Sequence, residues 1–299
     1  MTLTTPQAPA SSAFHGLRVV FEMIKIEHTI FALPFALMGM MLAAHGWPEA
    51  RVVAWILVAM VGARSAAMAF NRLVDRDIDA RNPRTATRAI PAGQVTPGFV
   101  AAFVVVSLAL FFLACWKLNP LCVRLFPFAV VVLLGYSYTK RFTALSHLVL
   151  GLALGGAPVG AWMAVRGDVT IVPLLLCAAV LLWVAGFDIL YSLQDETFDK
   201  AAGLHSIPAA LGKVGALWLS VALHIAMLGV LAFLPSAYPP GLGTAYWIGL
   251  AGCAAFLTYQ HWIVRPNDLS RLNAAFFTAN GLLAVWLFGC TAVDLVGLS

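Results

Sequence analysis

Asp75 and Asp79 stand four residues apart where one apolar run ends, and Asp195 and Asp199 repeat that spacing at the end of another, 120 residues further along the chain. The interval is that of one helical face, so each pair projects its two carboxylates together. Four like charges converging on one site are costly unless cations hold them. Basic residues are at hand: Arg76, Arg84 and Arg88 surround or follow the first pair, and Lys140-Arg141 close an apolar run between the two pairs. Carboxylates are hard oxygen ligands, and Mg2+ binds through one or two of them plus substrate phosphate oxygens. Arginine recognises phosphate through its planar fork. Together these groups describe a metal-bridged diphosphate. A hydrocarbon tail on that diphosphate would suit a site opening into a bilayer, which points to a prenyl diphosphate.

The elements that must position these groups are membrane helices. Of 299 residues, 62% are hydrophobic and only 10% charged, too few polar groups for a water-soluble surface. The apolar runs are continuous rather than alternating, which favours helices over a barrel. With about 20 apolar residues per span, the runs place nine helices at roughly 18–45, 52–74, 97–118, 120–138, 143–165, 169–191, 213–234, 243–263 and 273–296. Residues 1–14 read as a short disordered tail, and 15–299 as a single domain. The first helix carries Lys25, Glu27 and His28 and lacks a convincing cleavage site, so it reads as a span with a polar inner face rather than a signal peptide.

Positive charge sets the orientation. With the N-terminus cytoplasmic, that side carries most of the basic residues, whereas the other carries Arg51, Lys117, Arg124 and Arg166. Both acidic clusters then lie on the cytoplasmic face, and the C-terminus lies outside. The net charge of +5 needs no nucleic-acid partner, because topology and anion binding account for it. No obligate protein partner is evident. The two acidic segments also resemble each other beyond the aspartates, ending in Ile90-Pro91-Ala92-Gly93 and Ile207-Pro208-Ala209-Ala210, as an old internal duplication would.

The run from Asn71 to Gly93, N-R-x-x-D-R-x-I-D-x-x-N-P-R-T-x-x-R-x-x-P-x-G, resembles the first signature of the UbiA superfamily of intramembrane aromatic prenyltransferases, and Asp188 to Asp199, D-x-x-Y-S-L-Q-D-x-x-x-D, resembles the second. Tyr136 to Thr143, the glycine-rich stretch Leu150 to Trp162, and Leu272-Asn273-x-x-Phe276-Phe277-x-x-Asn280-Gly281 support the match. The resemblance implies an all-α integral membrane bundle of nine transmembrane helices, with a central cavity and two cytoplasmic Asp-rich motifs. It further implies Mg2+-dependent transfer of a polyprenyl group from polyprenyl diphosphate to a small aromatic acid in a bacterial inner membrane.

By residue, it makes Asn71, Asp75, Asp79, Asp195 and Asp199 the metal and catalytic cluster. It gives Asn71, Arg88, Lys140 and Arg141 to the diphosphate, and Asp188 and Tyr191 to the acceptor; the residue chemistry adds Arg84 to the first group and Arg64 to the second. Details of the last motifs favour the quinone branch, with 4-hydroxybenzoate the first choice of acceptor and a menaquinone-pathway aromatic acid the second. Arg64, a cation at membrane depth, is expected either to contact an acidic acceptor or to pair with Asp188. Arg72, Arg76 and Arg81 serve equally well as topology charges. No histidine has metal-ligand spacing, and Gly151, Gly155, Gly156 and Gly160 read as helix-packing positions. A cation-coupled transporter is the alternative from another class; it calls for carboxylates near the midplane on broken helices.

Overall fold

The computed structural model describes residues 13–24 and 31–297. Lys25, Glu27 and His28, and residues 1–12 of the expected tail, lie outside them. The described residues form an all-α, multi-pass bundle: α1 Ala13–Ile24, α2 Leu33–Ala44, α3 Ala50–Arg81, α4 Pro97–Leu118, α5 Pro120–Thr139, α6 Ser146–Arg166, α7 Ile171–Ser192, α8 Glu196–Ala202, α9 Ile207–Ala237, α10 Thr244–Ile263 and α11 Asn280–Gly297. Among these residues there is no sheet, only an isolated bridge between Arg265 and Asp268.

The helices begin where their caps are. Thr96 accepts from the Phe99 amide, Asn119 from those of Leu121 and Cys122, and Ser206 from that of Ala209. Each cap precedes a proline in the first turn, where a missing N–H costs nothing. Seven described helices are long and apolar enough to cross a membrane, not the nine expected. The difference has two sources. α2 is only 12 residues long, beginning at Leu33 with Pro34 in its first turn, and α10, though 20 residues long, is diluted by Gln260, His261 and two tyrosines. α3 exceeds its expected span, running 32 residues to Arg81. Its last turns are polar and lie beyond the apolar run, and they carry the first aspartate pair. α9 begins at Ile207 instead of 213, but it kinks at Gly212, whose φ of 69° is open to glycine without strain.

α7 lies at the centre, with Leu176, Val180, Trp183 and Val184 fully buried between α6 and α9. Close approach of α6 to α7 rests on small residues. A side chain at Gly151 would run into the Leu181 carbonyl, and one at Gly155 would meet Cys177, whereas Gly156 and Gly160 face open space. Before α11 the chain takes a π-helical turn, Ala274–Ala279. The wide turn leaves carbonyls without their usual partners, and buried Asn280 supplies them: its Nδ2 donates to the carbonyls of Ala275 and Phe276, and its Oδ1 accepts from Trp183 Nε1 at 2.8 Å. This explains the asparagine of the Phe-Phe motif.

The two ends of the bundle differ. At the end where α2, α4, α6, α9 and α11 finish, the links are hydrogen bonds: His45 Nδ1 lies 2.6 Å from Tyr238 Oη, Asn119 donates to the Met163 carbonyl, and Asp294 accepts from the Ala245 and Tyr246 amides at the start of α10. The opposite end carries the aspartates.

Overpacking a helix contact costs about 1–3 kcal/mol. Gly151→Ala is therefore expected to lower the unfolding temperature of the purified protein, and Gly156→Ala, one turn away on the open face, to leave it unchanged; a thermal melt in detergent reads both.

Candidate active site

The last turns of α3 place Asp75 and Asp79 on one buried face. Each is met by a cation from elsewhere in the chain. Lys140, at the end of α5, donates to Asp75 Oδ2 at 2.6 Å, where Asn71 Nδ2 also donates at 3.1 Å. Arg88 donates through Nη1 to both oxygens of Asp79, at 2.7 and 2.8 Å. The second motif is built differently from the first. α7 does not run on through it; it tightens into a 3-10 turn at Leu193–Asp195, and Asp195 then precedes the short helix α8, which carries Asp199. The pair is thus brought to one wall by a turn and a new helix rather than by a single continuous face.

The first motif holds the second. Beyond α3, Asn82 Oδ1 accepts from the Arg84 amide and Thr85 Oγ1 donates to the Asp79 carbonyl, which shapes the Asn-Pro-Arg-Thr loop. From that loop Arg84 grips Asp195 with two parallel bonds, Nε to Oδ1 at 2.9 Å and Nη2 to Oδ2 at 2.5 Å, and Asn82 Nδ2 adds a third at 3.1 Å. Burial is the largest single influence on Arg84 and works against its charge, but the hydrogen bonds to Asp195, the charge of Asp195 and the nearby Tyr191 and Asp79 together outweigh it and raise its pKa.

A cavity of about 630 Å3 opens between these groups. Its mouth is lined by Asn71, Asp75, Asp79, Arg84, Arg88, Lys140, Asp195 and Asp199. Its depth is lined by Phe31, Phe187, Tyr191, Phe276 and Phe277 with Val184 and Leu154. The rings pack on one another, Tyr191 on Phe276 at 4.3 Å and Phe187 edge-on to Phe276 at 5.2 Å. Arg64 and Met68 of α3 and Asp188 of α7 also line the cavity. One end is therefore densely charged and the other largely aromatic, with Arg64 and Asp188 as polar groups among the rings. That division suits a ligand with an anionic head and a hydrocarbon body.

Of the expected site residues, Arg141 falls outside this lining. Its guanidinium turns back to the Val74 carbonyl at 2.8 Å and over the Tyr138 ring, 3.5 Å from Asp75 Oδ1. Asp188 pairs with His147, Nδ1 to Oδ2 at 2.7 Å, a partner that reading the sequence missed. The signal was present, since a carboxylate within a span demands a partner, but the choice of partner depends on how α6 and α7 are rotated. Arg72 lines the cavity and donates to Asn71 Oδ1 at 3.2 Å, while Arg76 and Arg81 are exposed and bond within their own helix. Asn82 and Thr85 were not singled out in advance either.

An all-α membrane bundle whose paired aspartates crown an aromatic cavity is the architecture of the intramembrane prenyltransferases. Residues 32–282 match the model of the UbiA prenyltransferase family, and the chain belongs to that family. It is 33% identical over 291 residues to the 4-hydroxybenzoate octaprenyltransferase of Ralstonia nicotianae, covering 95% of this chain and 96% of that one. Among solved structures it resembles the apo UbiA homolog of Aeropyrum pernix, with a TM-score of 0.81, 35% identity, and coverage of 90% of this chain and 98% of that one. The UbiA homolog of Archaeoglobus fulgidus bound to GPP and Mg2+ shares the fold at a TM-score of 0.69 and 18% identity, over 92% of this chain and all of that one. Membership of this family sets aside the transporter alternative.

Removing one partner of a buried ion pair costs about 3–5 kcal/mol. Arg88→Gln is accordingly expected to lower thermal stability strongly by stranding Asp79, and the double variant Arg88→Gln/Asp79→Asn to recover much of the loss, as read from melts of the three purified proteins.

Proposed function

We propose that this chain transfers a polyprenyl group from polyprenyl diphosphate to the ring of 4-hydroxybenzoate, in the synthesis of a respiratory quinone. The observation that carries the reading is the interleaving of carboxylates and cations at the mouth of a cavity whose interior is aromatic. The bacterial relative's acceptor and the family motifs support the choice of 4-hydroxybenzoate over a hydroxynaphthoate-type acid of the menaquinone route.

The residues fit Mg2+. Asp75 Oδ1 is buried without a hydrogen bond, and Asp199 stands outside any ion pair among the described residues. The described residues hold no ready-made group of three or more acidic, histidine or cysteine ligands. Such a donor set suits a cation whose shell is completed by phosphate oxygens and water. Asn71, Asp75, Asp79, Asp195 and Asp199 would hold it. When bound, Mg2+ neutralises charge on the departing diphosphate.

Arg84, Arg88 and Lys140 would exchange their carboxylate partners for diphosphate oxygens, each cation already poised at the mouth. The carbon–oxygen bond to diphosphate breaks, a carbon–carbon bond to the ring forms, and the ring proton is lost. The allylic carbon carries positive charge as this happens, and the π faces of Phe187, Tyr191 and Phe276 stabilise it while excluding water. Asp188 and Tyr191 would face the acceptor hydroxyl, and Arg64 the acceptor carboxylate. A cytoplasmic mouth and N-terminus, an outward C-terminus and an inner-membrane location follow from the distribution of Lys and Arg. α2 and α10 would join the seven clear spans as crossings, making nine within a single domain from residue 15 to 299 that follows a short tail.

Purified protein given Mg2+, a polyprenyl diphosphate and a panel of aromatic acids is expected to yield prenylated 4-hydroxybenzoate by mass spectrometry, to stop with EDTA and to recover with added Mg2+. Turnover should fall roughly a hundred-fold or more in Asp75→Asn and Asp195→Asn, with the variants still folded at the assay temperature by circular dichroism even where the lost ion pair lowers the melt. Full activity in either variant would sink the site assignment.

A further inference from the structure

His147 opens α6 and is almost wholly buried. It touches two other elements at once. Its Nδ1 lies 2.7 Å from Asp188 Oδ2 on α7, and the Ile207 amide at the start of α9 points at its Nε2 from 3.3 Å. Ile207 occupies the first turn of α9, after the Ser206 cap, so its N–H has no partner within the helix and can only donate. Nε2 must therefore accept, and the single proton of the neutral ring sits on Nδ1, directed at Asp188. The chain thus fixes the tautomer, and with it the polarity of the bond to Asp188.

The consequence falls on the free oxygen. Among the described residues Asp188 is hydrogen-bonded only through Oδ2, and the residue lines the main cavity beside Tyr191. A second, smaller chamber of about 170 Å3 adjoins it, bounded by His147, Asp188, Ser206 and Lys140. With Oδ2 pinned by His147, Oδ1 remains to meet a hydroxyl in the cavity. Resting on the aromatic-acceptor reading above, we infer that His147 is a positioning residue for the acceptor: it locks the Asp188 carboxylate in the rotamer that receives the acceptor hydroxyl, and it ties that carboxylate to the start of α9.

The test compares His147→Leu, which can neither donate nor accept, with His147→Gln, whose amide can donate to Asp188 and accept from Ile207. Full-length protein is assayed with Mg2+, polyprenyl diphosphate and 4-hydroxybenzoate, varying each substrate separately, and acceptor binding is also measured by calorimetry. His147→Leu is expected to raise the acceptor KM about ten-fold or more, as loss of a hydrogen bond to a charged group does, and to leave the KM for polyprenyl diphosphate within about two-fold. His147→Gln should restore most of the acceptor affinity. In an Asp188→Asn background, His147→Leu should add little.

A wild-type acceptor KM in His147→Leu, equal shifts in both KM values, or a His147→Gln protein as impaired as His147→Leu would overturn the inference. If His147→Leu does not fold, His147→Met replaces it, since its thioether can accept weakly from Ile207 but has no proton to donate to Asp188, and it must show the same split between the two KM values. Failure of the underlying reading looks different: the wild-type protein then prenylates none of the aromatic acids.

Discussion

Carboxylates buried at the edge of a membrane must be neutralised, and nearly everything at the functional end of this bundle follows from that requirement. Asp75, Asp79 and Asp195 are each met by a cation that the chain brings from one of two places: the end of α5 for Asp75, and the loop after α3 for Asp79 and, reaching across to the second motif, for Asp195. The connecting segments are ordered because they carry these partners. Without Arg84 and Asn82 at Asp195, little in the described contacts would hold the loop after α3 against the turn after α7.

The apolar half of the cavity has its own constraint, which is backbone rather than charge. A π-helical turn places Phe276 against Tyr191 and Phe187, and the carbonyls it frees would be costly in a dry interior. Asn280 satisfies them and reaches Trp183 on α7 as well. The aromatic wall and the central helix are thereby fixed to each other by one side chain.

Much of this could be read in the sequence, and what could not shares a cause. Apolar length located most helices within a few residues, and the spacing of Asp75 and Asp79 correctly put both on one face of α3. Helical spacing was a poorer guide to how Asp195 and Asp199 follow on from α7, because the chain changes to 3-10 geometry at Leu193–Asp195 before α8 begins, and neither length nor composition signals that change. Arg141, like Lys140, reaches Asp75, but its guanidinium also bonds the Val74 carbonyl and so stays out of the cavity lining. His147, Asn82 and Asn280 act through contacts 41, 113 and 97 residues away in the chain, which only the rotation and register of packed helices decide. The family resemblance located the motifs without revealing which cation faces which carboxylate.

The two ends of the bundle are held by different forces. Among the described residues, the Lys and Arg ion pairs that join separate elements lie at the aspartate end, where the basic partners remain partly exposed. The other end is closed by His45 with Tyr238, by Asn119 and by the amides that Asp294 receives. Dissolved salt screens charges that water can reach and leaves such hydrogen bonds largely untouched. Rising ionic strength therefore loosens this protein from one end only, like a hinge whose pin is at the far side of the membrane.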